Sequence, residues 1–242
     1  MMRMMRKTLI LILVLVLHHN SFSQKVDRFN NLWFTTNLNI QLSTKWKLAS
    51  EFHYRKTDWG STKQQFLIRP KISYKVNSVL SLAAGYTYGK IHPYGDNGEV
   101  IATPEHNIWE QFSLSNRIGK TKLKHRFRLE HRSLGVVALN SNGSYRIQGF
   151  KRANRFRYRF TFVRPIAFKQ KLRIKFFNEL WINIGDKALP FDLNQNWLYG
   201  GLVLKPNNHF SLELGFMDQV LKYSNDLFER NPTIQGTFTL NI

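Results

Sequence analysis

Residues 122–132 read Lys122, Leu123, Lys124, His125, Arg126, Phe127, Arg128, Leu129, Glu130, His131 and Arg132. Every even position is charged, and every odd position is Leu, His or Phe. Side chains alternate sides along an extended backbone and spiral around a helix, so this spelling separates charged from apolar groups only in a β-strand. The rhythm recurs. Trp46, Leu48, Phe52 and Tyr54 oppose Lys47, Glu51, His53 and Arg55. Phe66, Ile68, Ile72 and Tyr74 oppose Gln65, Arg69, Lys71 and Lys75. Phe156, Tyr158, Phe160 and Phe162 oppose Arg155, Arg157 and Arg159, and Leu172, Ile174, Phe176, Leu180 and Ile182 oppose Lys171, Arg173, Lys175 and Glu179. Segment 195–205 alternates poorly and its faces stay unassigned.

The pattern predicts eleven strands, at 32–42, 46–57, 65–76, 80–91, 107–118, 122–133, 153–163, 171–183, 195–205, 209–220 and 233–242. Their length suits tilted membrane strands better than the shorter strands of soluble sheets. Tight turns at 43–45, 77–79, 119–121, 167–170 and 206–208 alternate with long links at 58–64, 92–106, 134–152, 184–194 and 221–232, the outer-membrane habit of short periplasmic turns and long external loops. A cation facing lipid at mid-depth costs about 2–4 kcal/mol, so the charged faces are expected to line a lumen. The expected fold is all-β, an antiparallel transmembrane β-barrel of about twelve strands (10–12) with a polar, basic lumen. Periplasmic tight turns make segment 32–42 descend. Either residues 24–31 form an ascending twelfth strand, the favoured arrangement, or the count is odd and two parallel strands close the ring.

The N-terminus carries Arg3, Arg6 and Lys7, an uncharged run from Thr8 to Leu17, and Ser21-Phe22-Ser23. A basic start, a short apolar stretch and small residues predict a secretory signal peptide over 1–23, leaving 24–242 as a single barrel domain. The apolar run is shorter than the roughly 20 residues a spanning helix needs. With no cysteine in 242 residues, disulfides, thiolate metal sites and cysteine nucleophiles are excluded. The net charge of +21 would suggest nucleic acid for a cytosolic chain. Here export and the placement of cations inside strand patterns argue against that partner, and no nucleic acid is expected. They point to outer-membrane lipids, lipopolysaccharide phosphates or small anions, with the barrel-assembly machinery as the partner during insertion.

The candidate site is a lumenal charge network of Glu51, Arg55, Arg69, Lys71, Lys124, Arg126, Arg128, Glu130, Arg132, Arg155, Arg157, Arg159, Arg173, Lys175, Glu179 and Glu213, with Glu110 a possible member near a loop end. Confined carboxylates should pair with arginines. Two readings stay open: pairs that plug a narrow barrel, which ten to twelve strands favour, and a narrow anion-favouring conduit. Trp33, Trp46, Tyr54, Tyr74, Tyr88, Trp109 and Tyr223 fit interfacial girdles, although aromatics favour strands in any case. Pro70, inside a strand, predicts a bulge or register break. Gly85, Gly89, Gly201 and Gly215 suggest bends or close approach of lumenal side chains.

Leu67-Ile68-Arg69-Pro70, Gly85-Tyr86-Thr87-Tyr88, Asn107-Ile108-Trp109-Glu110-Gln111 and the 125–132 strand resemble the family known as domain of unknown function 2490, as do Gln195-Asn196 and Leu214-Gly215-Phe216. The resemblance covers nearly the whole mature chain. It implies a Gram-negative outer-membrane barrel of Bacteroidota type and brings no reaction, ligand or catalytic residue. The last strand, with Phe238, Leu240 and Ile242, resembles the assembly signal of such barrels but ends in Ile where Phe is usual.

No nucleotide loop, zinc-protease helix, nucleophile elbow or calcium loop is present, and the histidines lack ligand spacing. No cofactor or metal is expected, and the expected role is non-enzymatic: structural, binding or narrow transport. Two alternatives stand. His125, His131 and Ser133 share the outward parity, as in outer-membrane phospholipases with a Ser–His pair at the wall, which suggests a lipid hydrolase. However, residues two apart on a strand lie about 6.5–7 Å apart. A soluble lipocalin-like binding protein would instead turn its apolar face inward.

Overall fold

The computed structural model describes residues 25–96, 98–185, 191–224 and 227–242, so the predicted signal peptide lies outside the described residues. Twelve strands follow in order: β1 (Lys25–Arg28), β2 (Asn31–Gln41), β3 (Trp46–Thr57), β4 (Thr62–Lys75), β5 (Leu80–Ile91), β6 (Thr103–Ile118), β7 (Thr121–Leu139), β8 (Tyr145–Ala167), β9 (Leu172–Ile184), β10 (Phe191–Leu204), β11 (Phe210–Lys222) and β12 (Leu227–Asn241). Two single 3₁₀ turns, Asp58–Gly60 and Phe168–Gln170, join β3 to β4 and β8 to β9. Among the described residues there is no α-helix.

From β2 to β12 each strand pairs antiparallel with its sequence neighbour, and β12 then pairs parallel with β2, closing an eleven-stranded ring. The count is therefore odd, with parallel closure. Residues 25–28 are not an ascending strand: β1 pairs β12 alone, outside the ring, and keeps the register of β2 (Lys25 opposite Leu227, Asn31 opposite Thr233). Phe29 and Asn30 break the ladder without reversing the chain, and the Asn30 carbonyl accepts from the Trp59 amide at 3.0 Å. An ascending strand would need a turn before β2, and residues 25–30 form none.

Parity sorts the faces between bulges. Odd positions of β2–β6 and β8–β12, and even positions of β7 up to Arg132, point into the ring, where the buried side chains lie, except beyond the bulges of β4 and β10, where Gln64 is buried and Leu193 is exposed. Phe34, Leu48, Phe52, Ile108, Phe176, Leu198 and Leu214 are among the large apolar groups exposed on the outside.

The links depart from the predicted alternation. β7 runs 19 residues and β8 23, reducing the predicted 134–152 link to Asn140–Ser144. Val136, Val137, Tyr145, Ile147 and Phe150 are strand formers, and a bulge beside Val136 and Val137 leaves Gln148 unpaired, so the hairpin continues. Of the loops at this end, 92–102 is the long one that is fully described apart from residue 97.

Pro70 does not break the register. Pairing with β5 resumes in step from Ile68 opposite Tyr88 to Lys71 opposite Gly85, and the β3–β4 shift falls between Arg55 and Lys56. Pro70 costs rungs of the ladder without displacing the strand. Gly85 explains the local tolerance: a Cβ there would overlap the Trp109 ring and come within 2.6 Å of the Pro70 carbonyl oxygen.

Candidate functional site: the barrel interior

At mid-height the interior is filled by ion pairs that the strand register builds. Glu130 on β7 stands opposite Arg155 on β8, Glu179 on β9 opposite Arg159, and Glu51 on β3 opposite Arg69 on β4. Glu130 accepts from Arg155 Nε at 2.8 Å and from Arg157 Nη1 at 2.7 Å. Glu179 accepts from Arg157 Nε at 3.0 Å and Arg159 Nε at 2.9 Å, and also from Arg126. Arg157 thus joins the two carboxylates into one layer. Arg126 faces Arg159 and Arg128 faces Arg157 across the β7–β8 pair, like charges whose repulsion the two glutamates offset.

Glu51 binds Arg69 at 3.0 Å and also Lys71, with His53 Nε2 at 3.5 Å. Lys175 Nζ lies 2.7 Å from Glu213, which also accepts from the Tyr199 hydroxyl at 2.7 Å. Arg128 donates to Gln111 at 2.8 Å and covers the Trp109 ring, its guanidinium carbon 3.8 Å from the centroid. Arg128 and Glu130 are 1 % exposed, Arg157 2 % and Glu179 0 %, so these four side chains are shielded from water.

The remaining predicted residues sit elsewhere. Arg132 forms a two-pronged pair with a residue the sequence reading missed, Glu105 on β6, at 2.7 and 3.0 Å. Arg173 lies at the turn end, where its Nε donates to the Gln170 carbonyl at 3.2 Å. Among the described residues Lys124 forms no ion pair. Arg55 is held without a carboxylate: its Nη1 donates to Gln65 at 2.7 Å and its guanidinium carbon lies 3.7 Å from the Trp33 centroid. Glu110 is outside the network, on the outer wall beside His131 at 3.3 Å, because β6 turns even positions outward.

An inward aromatic cluster of Trp33, Phe177, Trp181, Trp197 and Tyr199, with Met217, packs beside the charges. Trp181 and Trp197 are 4.4 Å apart between centroids, and Phe177 stacks on Tyr199 at 4.6 Å. Gly201 and Gly215 make room for the Tyr199 ring. Trp33 and Trp109, 3 % and 0 % exposed, belong to the interior and not to a girdle. Both occupy the polar parity of their strands.

Beyond the ion-pair layer, toward the 92–102 loop, lies a cavity of about 450 Å³. Arg55, Arg69, Arg132 and Arg155 line it together with Trp33, Trp181, Trp197 and several Asn and Gln side chains. Tyr94, from the loop between β5 and β6, reaches to β12, where its hydroxyl donates to Glu229 at 3.2 Å. Tyr223 donates to the same carboxylate at 2.9 Å. Phe29 packs edge-on against Tyr94 at 5.4 Å, so the loop is pinned as a strap. Burial, and then the nearby Glu229 charge, push the Tyr94 phenol up to about 12, and burial also raises Tyr223.

On the outer wall, His131 Nδ1 meets Asn154 Oδ1 at 3.0 Å while Nε2 meets Glu110. Both ring nitrogens are engaged. His106, on the neighbouring strand, meets the Tyr86 hydroxyl at 2.5 Å.

The family model described as Protein of unknown function (DUF2490) matches residues 30–230, most of the chain. The chain belongs to the DUF2490 family. This family member is similar to a structure titled "NanC porin structure in rhombohedral crystal form", at 9 % identity and a TM-score of 0.47, over 82 % of this chain and 90 % of that one. Among curated proteins, none matches.

Proposed function

We propose that the chain is a non-enzymatic outer-membrane β-barrel of a Gram-negative bacterium, closed to solutes at mid-height by its ion pairs and open to binding at its loop end. The observation that carries this reading is the outward apolar wall. Phe34, Phe52, Ile72, Phe112, Phe176 and Leu202, on six different strands, each expose more than a third of their surface around a ring whose interior holds the charge. In water such a wall would drive association, whereas in a bilayer it meets acyl chains. A lipocalin-like reading requires the opposite facing.

The buried layer of Glu130, Glu179 and Arg157 favours the plugged interior over the anion conduit. The wall-hydrolase alternative needs a histidine nitrogen free to take a proton from Ser133. At His131 both nitrogens already have partners. Lipids and lipopolysaccharide remain the proposed surroundings, with the assembly machinery acting at insertion. Planar-bilayer recording of the purified full-length barrel tests the proposal. Detergent-dependent solubility with no steady conductance is expected. A steady anion-selective conductance would overturn the plugged interior, and a monodisperse detergent-free protein would overturn the membrane assignment.

A further inference from the structure

The cavity beneath the strap is chemically unlike the ion-pair layer below it. In that layer most cations have a carboxylate, whereas among the described residues Arg55 in the cavity wall forms no ion pair and is held by the Gln65 amide and the faces of Trp33 and Trp197. Its Nε has no hydrogen-bond partner among the described residues. Three further side chains that line the cavity also keep a polar atom without a partner: Trp181 Nε1, Asn107 Oδ1 and Asn231 Oδ1. Buried polar groups are nearly always satisfied, and four of the ten exceptions among the described residues line this one cavity, which needs a cause. Water accounts for isolated cases. A guanidinium, an indole N–H and two amide oxygens call for a solute that brings negative charge and hydroxyl donors together.

The lining narrows the class further. Side-chain amides of Gln195, Gln219 and Asn194 extend the wall. Amides carry donor and acceptor side by side and match neighbouring hydroxyls. Arg69 and Arg155 bring positive charge to the floor, although each is already paired with a glutamate. The volume of about 450 Å³ lies within the range of small-molecule sites, roughly 300–1,000 Å³. Trp33, Trp181 and Trp197 add apolar faces on which a sugar ring can stack, a purely apolar ligand would leave the buried guanidinium and amides unpaired, and a bare inorganic anion would leave the amide oxygens unpaired. We infer that this cavity binds a hydroxylated organic anion of monosaccharide to disaccharide size, with its acidic group at Arg55 and its hydroxyls on the amide wall. The inference deepens the proposed binding at the loop end and is independent of whether the lumen conducts.

Trp33, Trp181 and Trp197 form the wall, so binding reports through their fluorescence. The full chain in detergent micelles is titrated with D-glucuronate, with D-glucose, which keeps hydroxyls and lacks the charge, and with acetate, which keeps the charge and lacks the hydroxyls. Saturable quenching by glucuronate is expected, with glucose and acetate at least tenfold weaker. Arg55→Gln should weaken glucuronate at least tenfold while leaving the weak glucose response unchanged. Should Arg55→Gln fail to give a folded barrel by circular dichroism, Gln219→Ala replaces it, with a loss of at least threefold expected for glucuronate and no change for acetate. No saturable response to glucuronate, equal responses to glucuronate and glucose, or wild-type affinity in the folded variant would each overturn the site. The bilayer recording above decides the plugged lumen separately.

Discussion

Glu130 on β7 accepts bonds from two arginines at 1 % exposure, while Glu110 on β6 meets His131 with more than half of its side chain in the open. The contrast follows from one position of parity. Removing one partner of a buried ion pair leaves an uncompensated charge and costs about 3–5 kcal/mol, whereas exposed pairs contribute about 0–1 kcal/mol. Glu130→Gln should therefore lower stability to urea by about 3–5 kcal/mol, and Glu110→Gln by well under about 1 kcal/mol. Tryptophan fluorescence during unfolding reads both, and equal losses would contradict the assigned facing. Most of these residue placements were legible in the sequence, since Glu51, Glu130, Glu179 and Glu213 follow from alternation alone. Glu105 was missed because its strand was started at 107 when it begins at Thr103. Trp33 and Trp109 were assigned by residue type, although Thr35 and Asn37 beside the first, and Asn107 and Gln111 beside the second, share their polar parity.

At the scale of elements, the 92–102 strap depends on phenols that remain neutral. Tyr94 ordinarily titrates at 10.0 and is held up to about 12 in the folded chain. A raised value means the folded state keeps its proton where the unfolded state has lost it. The contribution is therefore complete below pH 10 and is lost as pH rises through about 12. The thermal midpoint should fall more steeply between these limits in the wild type than in Tyr94→Phe, whose absorbance titration should lack one high-pH phenol. Identical pH slopes would show that the strap is not held through this group. The strap was not legible, because the bond from Tyr94 to Glu229 joins positions 135 residues apart with no periodic signal. β10 was opaque for a different reason. Trp197 and Tyr199 point inward while Leu198 and Leu202 point outward, so both faces are apolar and parity carries no contrast.

For the whole molecule, the proposed plug predicts what opens it. Arg157 connects Glu130 to Glu179, so Arg157→Ala combined with Glu179→Ala removes the bridge and one of the carboxylates it joins. Pairing both truncations limits the uncompensated charge that either alone would leave. The double variant should show an anion-selective conductance where the parent shows none, because Arg126 and Arg159 remain without their shared carboxylate. A silent double variant with normal circular dichroism would mean that other side chains close the lumen.

The sequence by itself determined that residues 32–242 are built of strands and, between bulges, which residues share a face, because a period of two is a local property of extended backbone. It also set the charged face against the apolar one, while the closed ring decided that the charged face stands inside. Only the tertiary structure decided the odd count and parallel closure, where Asn37 meets Thr239 and Asn39 meets Asn241 across 202 residues. It also decided that Glu130 and Glu179 come level enough for one arginine to span them, and that a cavity is left above. Those features depend on the stagger between strands around a closed ring, which no single segment encodes.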